Sequence, residues 1–321
     1  MFTAGQMSST FVSTGSSIER RTAGRNVWLR RAGVNARAEL MSHPPQVLRY
    51  EVMASEEAVG REMLAEIEAA AQAKSGDLTI VILGGRGAQA LHRLIGEKAK
   101  TRELDHLLSR LNVFTQDALA PMRMNNAFSF VRDFERLLGD AFFAKVKSFN
   151  SMQTAAPDLE AEVIRYVEAL EATDAIDVFF LGLGPEANAA SHICYIKPDS
   201  GAGAADVAGV IPISPSIVEH HVNKFKAGGA ASNEADEREC RNATHILTLG
   251  PAAVLGARRI VQSIVDADTA PAKVQSFDRF ITTEISDDPE TRTRQLDENP
   301  GLWIRLNANV RSLVLPSVLA E

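Results

Sequence analysis

The chain has 321 residues, 45% of them hydrophobic, and a formal net charge of −7. That length suits one large α/β domain or two ordinary ones, and the apolar share is enough for a full core, which excludes global disorder. The acidic balance argues against nucleic acid as the main partner, since a phosphate-backbone binder carries a basic surface. No apolar run approaches the roughly 18 residues of a membrane helix.

Residues 1–40 are rich in Ser, Thr, Gly and Arg, with Glu19 and Glu39 as the only acids. Such a stretch buries little, so residues 1–44 are expected to be a disordered tail ahead of a single domain over 45–321. Two other readings stay open: an Arg-rich transit peptide, and an over-long start with the true beginning at Met41. Val47–Val52 alternates as a short strand. Ser55 then caps a helix whose buried stripe is Val59, Met63, Ile67 and Ala70. Leu78–Leu83 is an apolar strand closed by Gly84-Gly85-Arg86-Gly87, and a helix with Ala90, Leu91, Leu94 and Ile95 inward follows. Leu111–Phe114 is the next strand, ending at Gln116-Asp117. Helices are expected over 126–146 and 158–171.

Ile176–Leu181 is too apolar for a surface strand. It breaks into Gly182-Leu183-Gly184-Pro185, and polar groups crowd the residues up to Gly201: Glu186, Asn188, Ser191, His192, Lys197, Asp199. Val207–Ile213 is a further strand, and Ser214-Pro215 starts a helix by the Ser N-cap, Pro N1 pattern. Residues 227–239 look like a mobile loop. Ala243–Leu249 is a strand ending at Gly250, Ala252–Val265 a helix, and Leu302–Leu306 and Val310–Leu315 close the chain as short strands or a strand plus turn. Strands alternating with helices, each ended by Gly or a polar residue, imply a Rossmann-like three-layer α/β/α fold with a mostly parallel sheet.

A buried parallel strand that ends in a glycine turn is where such folds place ligands, because backbone N–H groups and side chains converge at the sheet's carboxyl edge. Gly84-Gly85-Arg86-Gly87-Ala88 sits between a buried strand and a helix. Its glycines let the backbone approach an anion, and the helix N-terminus supplies free N–H groups and a positive dipole end; a simple turn is the other reading. Asp117 is either a general base at a strand end or a helix N-cap. Lys224 and Lys273 are candidate cations for an anionic ligand, or surface lysines. His220 and His221 are adjacent on a helix, about 100° apart, so they make no metal pair and read as solvated or packed. No metal or cofactor motif is present. Cys194 and Cys240 are too few for a disulfide framework or a cysteine metal site, which makes a reducing cytoplasm the expected location.

In order, these pieces resemble the glucosamine-6-phosphate deaminase/isomerase and 6-phosphogluconolactonase superfamily over about residues 45–315. Gly84–Ala88 stands where the family carries Gly-Gly-Thr/Ser-Pro, and Asp117-Ala118 where it carries Asp-Glu. Leu181-Gly182-Leu183-Gly184 and Ser191-His192-Ile193-Cys194-Tyr195-Ile196-Lys197-Pro198 open and close the deaminase motif Leu-Gly-x-Gly-x-Asp-Gly-His-Ile-Ala-Phe-Asn-Glu-Pro, with about four extra residues between. Val222-Asn223-Lys224-Phe225, Leu247–Arg258 and Leu306–Val310 echo later family segments, and Lys273 corresponds to a family lysine at a longer spacing.

The resemblance implies a small-molecule sugar phosphate as partner and no cofactor; a homo-oligomer is left open. Backbone amides of Gly85–Ala88, with Lys224 and Lys273, would hold the phosphate. His192 would help open the sugar ring, and Asp117 would take the C2 proton and return it to C1, with loss of ammonia. In the gapped register the motif's aspartate falls on Ala190 and its glutamate on Lys197. The ungapped register puts Glu186 at the aspartate and Asn188 at the histidine, resembles the lactonase motif, and loses the histidine. Either register is expected to lack one acid–base group. The alternatives are a lactonase-like hydrolase, and a sugar-phosphate-binding protein without catalysis.

Overall fold

The largely apolar segments Leu78–Ile82 and Ile260–Ile264, with Thr79, Gln262 and Ser263 as their polar members, are buried at every position, which is what a parallel strand covered by helices on both faces requires. The structure is a computed structural model, and it describes residues 18–319. Its strands in chain order are β1 Ile18–Ala23, β2 Asn26–Arg31, β3 Tyr50–Val52, β4 Leu78–Ile82, β5 Leu111–Thr115, β6 Asp117–Ala120, β7 Ser148–Asn150, β8 Val178–Leu181, β9 Gly184–Pro185, β10 Ser191–His192, β11 Asp206–Pro212, β12 His245–Leu249, β13 Ile260–Ile264 and β14 Val310–Val314. Seven of them form an all-parallel sheet in the order β3-β14-β13-β8-β4-β5-β7, flanked by helices. The expected Rossmann-like α/β class is the one observed.

A second sheet, not anticipated from the sequence, runs β1-β2-β11-β12-β6 with antiparallel pairs throughout. The chain passes from β5 to β6 through Gln116 alone, so Asp117 stands at the junction of the two sheets. The runs Val207–Ile213 and Ala243–Leu249 are strands as expected but belong here. Nothing in an apolar run says which sheet it joins.

Three further expectations are corrected. Residues 18–44 are not a disordered tail: β1 and β2 form a hairpin about Gly24-Arg25, Asn35 caps a helix over Ala36–Ser42, and β2 pairs with β11; residues 1–17 lie outside the described residues. The helix over 252–265 is a short helix, Pro251–Leu255, followed by β13, one of the central strands. A buried helix and a buried strand share the same unbroken apolar pattern, and Gly256 was the stop signal. The 227–239 loop contains the start of a helix, Glu234–Arg241. Of the two readings of the chain's close, a turn plus a strand is the one observed, as a tight 3₁₀ segment, Pro300–Leu306, followed by β14.

Trp28 shows how firmly the hairpin is held. Its indole is fully buried, its ring lies on Gly209, where a Cβ would come within 2.6 Å, and its Nε1 donates to the Ser200 carbonyl at 3.1 Å. Trp28→Ala is expected to destabilise the fold by about 3–5 kcal/mol. Urea unfolding checks this, and a shift below about 1 kcal/mol would show that the hairpin lies outside the cooperative core.

Candidate functional site

Strands β4, β5 and β7 advance along the sheet in one direction, whereas β8, β13 and β14 advance in the other. The reversal lies between β4 and β8, and a ligand crevice forms outside the carboxyl ends of the strands at such a switch point. A cleft occupies that place. It is walled by Gly84 and Gly87 after β4, Asp117 after β5, Gly182–Gly184 and His192–Tyr195 after β8, Ser263 on β13 and Asp266 just beyond it, with Lys224, His220 and Lys273 reaching in from helices.

The glycine loop after β4 is shaped by close approaches. Gly84 lies under the Phe130 ring, where a Cβ would come within 1.9 Å, and Gly85 has φ of +79°. The Lys224 stem crosses the same spot, its Cε 2.8 Å from where a Gly85 Cβ would sit. The helix Arg86–Ala99 starts here with no side-chain cap, which leaves its first N–H groups for an anion. Lys224, on the helix Pro215–Ala227, is half-buried over the Phe130 and Tyr195 rings, 5.1 and 5.4 Å from their centroids. Burial lowers its pKa; Asp117 opposes that and Lys273 adds to it.

Asp117 is buried, and its Oδ1 has no hydrogen-bond partner. Burial pushes its carboxyl up from 3.8 to about 7, against the pull of the Lys224 ammonium. A carboxylate lifted to neutrality in a cleft is matched to proton transfer at neutral pH.

Glu186 and His192 are joined. The segment between β8 and β11 is strained, with Asn188, Ala189, Cys194, Tyr195 and Asp199 all at φ of 50–59°, and such outliers persist only where surroundings over-determine them. Here those surroundings are the Arg279 guanidinium on the Asn188 carbonyl at 2.6 Å, Ser276 Oγ on the Ala190 carbonyl at 2.8 Å, and Asn299 Oδ1, which accepts from the Ser191 N–H and hydroxyl at 2.8 and 2.7 Å. The short β9–β10 pair folds the loop back on itself, setting His192 Nδ1 2.7 Å from Glu186 Oε1. The His192 ring lies on Gly184, where a Cβ would fall 1.9 Å from Nε2. With Nδ1 held by a carboxylate, Nε2 is the nitrogen left for the cleft. The two registers read from the sequence therefore describe one constellation. The extra residues bring Glu186, from one register, against the histidine of the other.

Among the other expected site residues, Lys273 lies in the cleft and is paired with Asp266 at 2.5 Å, both buried. Burial pushes Asp266 up, yet Lys273 carries the net shift down. Arg86 reaches the rim, but Glu56 at 2.7 and 2.9 Å and Asp268 at 2.9 Å take up its guanidinium. Ala88 is buried inside the first turn of its helix. Asn188 does not line the cleft and contributes its carbonyl to the loop anchor instead. His220, expected to be solvated or packed, faces the cleft; burial, then Lys224, then His192 and Lys273 depress it to about 3, so it is a neutral imidazole. Asp266 and His220 were missed. Asp266 carried the same signal as Asp117, a carboxylate beyond an apolar run, hidden because that run read as helix. Among the described residues no group of three or more His, Cys, Asp or Glu is arranged to hold a metal ion, and no helix is long and apolar enough to cross a membrane.

A monomeric glucosamine-6-phosphate deaminase superposes with a TM-score of 0.63 at 17% identity, covering 84% of this chain and 98% of that one. The chain has the fold of that enzyme. The 6-phosphogluconolactonases share it: that of Trypanosoma cruzi superposes at 0.58, with 15% identity over 86% of this chain and 97% of its own, and that of Thermotoga maritima at 0.55, with 15% identity over 84% and 98%. No family model matches the chain, and no curated protein is significantly similar to it in sequence. One deaminase–lactonase fold thus carries two reactions, and only the side chains in the cleft can separate them.

Proposed function

We propose that the chain is a sugar-phosphate isomerase/deaminase, a divergent relative of the glucosamine-6-phosphate deaminases, acting by proton transfer between C1 and C2 of a phosphorylated aldose or amino sugar. The observation that carries this reading is Asp117, a buried carboxylate with a free oxygen and a pKa raised to about 7, lining the same cleft as His192. The phosphate lies against the Gly85–Gly87 loop and the open helix N-terminus, with Lys224 and Lys273 as cations. His192, its Nδ1 held by Glu186, exchanges a proton with the ring oxygen and opens the sugar. Asp117 takes the proton from C2 and returns it to C1. With an amine on C2 the product is an imine, which takes up water and releases ammonia; with a hydroxyl it is the ketose.

A second reading, lactone hydrolysis, is favoured by the Glu186–His192 pair, since an imidazole oriented by a carboxylate can take a proton from water attacking an ester carbonyl. The test supplies glucosamine-6-phosphate and 6-phosphogluconolactone separately, together with a panel of hexose phosphates. Ammonia or ketose formation supports the first reading. Lactone hydrolysis alone overturns it in favour of the second. Thermal stabilisation by a sugar phosphate with no turnover would leave a binding protein.

A further inference from the structure

The proposed reaction leaves one buried polar chain behind the phosphate loop unused. His221 is fully buried, and its Nε2 lies 2.8 Å from the Phe128 carbonyl. A carbonyl only accepts, so Nε2 carries the proton and Nδ1 presents a lone pair. Tyr195 Oη lies 2.9 Å from that Nδ1 and must donate to it. The phenol oxygen is then left as an acceptor, and Lys224 Nζ donates to it at 3.2 Å. Each bond fixes the direction of the next, from the main chain outward to the ammonium. The chain is rigid at both turns. Tyr195 sits at φ of +52°, and its ring stacks with Phe130 at 6.2 Å, while the His221 ring stacks with Phe225 at 4.4 Å.

We infer that Tyr195, oriented by His221, is the positioning residue that aims the Lys224 ammonium at the glycine loop, and so sets how tightly this site grips a phosphate. The identification of the ligand as phosphate rests on the proposed function; the aiming of Lys224 does not. The other cations illustrate why this matters. Lys273 is matched by Asp266, and Arg86 by Glu56 and Asp268, whereas Lys224 has a neutral phenol as its hydrogen-bond acceptor and so keeps its charge for a ligand. A lysine stem with four rotatable bonds needs such an acceptor to hold one geometry. A phenol achieves this without cancelling the charge, as a carboxylate would.

The test uses two readouts on the full chain: the Lys224 titration followed by NMR of the lysine ε-carbon, and inorganic phosphate binding by calorimetry. Tyr195→Phe keeps the ring and removes the acceptor. The Lys224 midpoint is expected to fall, because a bond to the charged form is lost, and phosphate should bind roughly tenfold more weakly. His221→Phe, which frees the phenol to turn, should give a smaller change of the same sign, and the double variant should be no worse than Tyr195→Phe alone. A Lys224 midpoint unmoved in a folded Tyr195→Phe protein overturns the inference, whatever phosphate does. A midpoint that falls while neither the wild type nor the variant binds phosphate sustains the aiming role and instead sinks the sugar-phosphate reading.

Discussion

Asp117→Asn is expected to lower turnover of the phosphorylated aldose by about 10²–10⁴-fold, the usual contribution of one placed general acid–base group. Binding should barely change, because the amide keeps the shape and the phosphate contacts lie elsewhere. In the wild type, kcat/KM should rise with pH through about 7 as Asp117 ionises into the basic form. The same replacement should make the protein more stable. The carboxyl titrates near 3.8 when unfolded and near 7 when folded, so between those values the native state holds a proton that the unfolded state has released. Stability from this group is therefore fully present below about pH 3.8 and is lost as pH rises through 7. The rise corresponds to up to about 4 kcal/mol of strain at pH 8, which the neutral amide removes. Urea unfolding at pH 4 and pH 8 should thus find Asp117→Asn within about 1 kcal/mol of wild type at the lower pH and clearly more stable at the higher. An equal midpoint at pH 8 would show that the wild-type carboxylate is already satisfied and would remove the case for it as the base. This trade of stability for a poised base is the pattern expected at active sites.

Much of this site was legible because strand ends carry their own punctuation. Gly84-Gly85 and Gly182-Leu183-Gly184 each close an apolar run, and the fold brings both to the switch point. Asp117, His192, Lys224 and Lys273, chosen from four separate stretches, line one cleft. What failed was long-range or ambiguous in period. The hairpin of β1 and β2 looked unstructured because its anchoring contact, Trp28 on Gly209, is made with a residue far along the chain. β13 was hidden inside a helical reading, and Asp266 with it. The pairing of Glu186 with His192 depends on a loop folded back over several left-handed residues, and one-dimensional registers could only offer the two residues as alternatives.

That pairing supplies the sharpest way to separate the two reactions this fold supports. In an isomerase His192 opens the ring, a step that also proceeds slowly in water, so His192→Asn leaves the small open-chain fraction as usable substrate. Asp117 has no such bypass, since the C2 proton stays put without a base. The expected order is therefore a loss for Asp117→Asn that exceeds the loss for His192→Asn, by about tenfold or more if each group contributes within the usual range. A lactonase inverts the order. His192 would then activate the water, its removal would be the damaging change, and Asp117 would matter only through the cleft's charge. Glu186→Gln checks that the carboxylate acts through the imidazole. It should cost activity in the wild type and almost nothing further in His192→Asn, because groups that work as a unit are not additive. Additive losses would mean that Glu186 touches substrate on its own account. Measuring kcat/KM for the three single variants and the Glu186–His192 double variant with both classes of substrate yields the ranking directly, and a larger loss for His192→Asn than for Asp117→Asn would move the assignment from proton shuttling at carbon to hydrolysis.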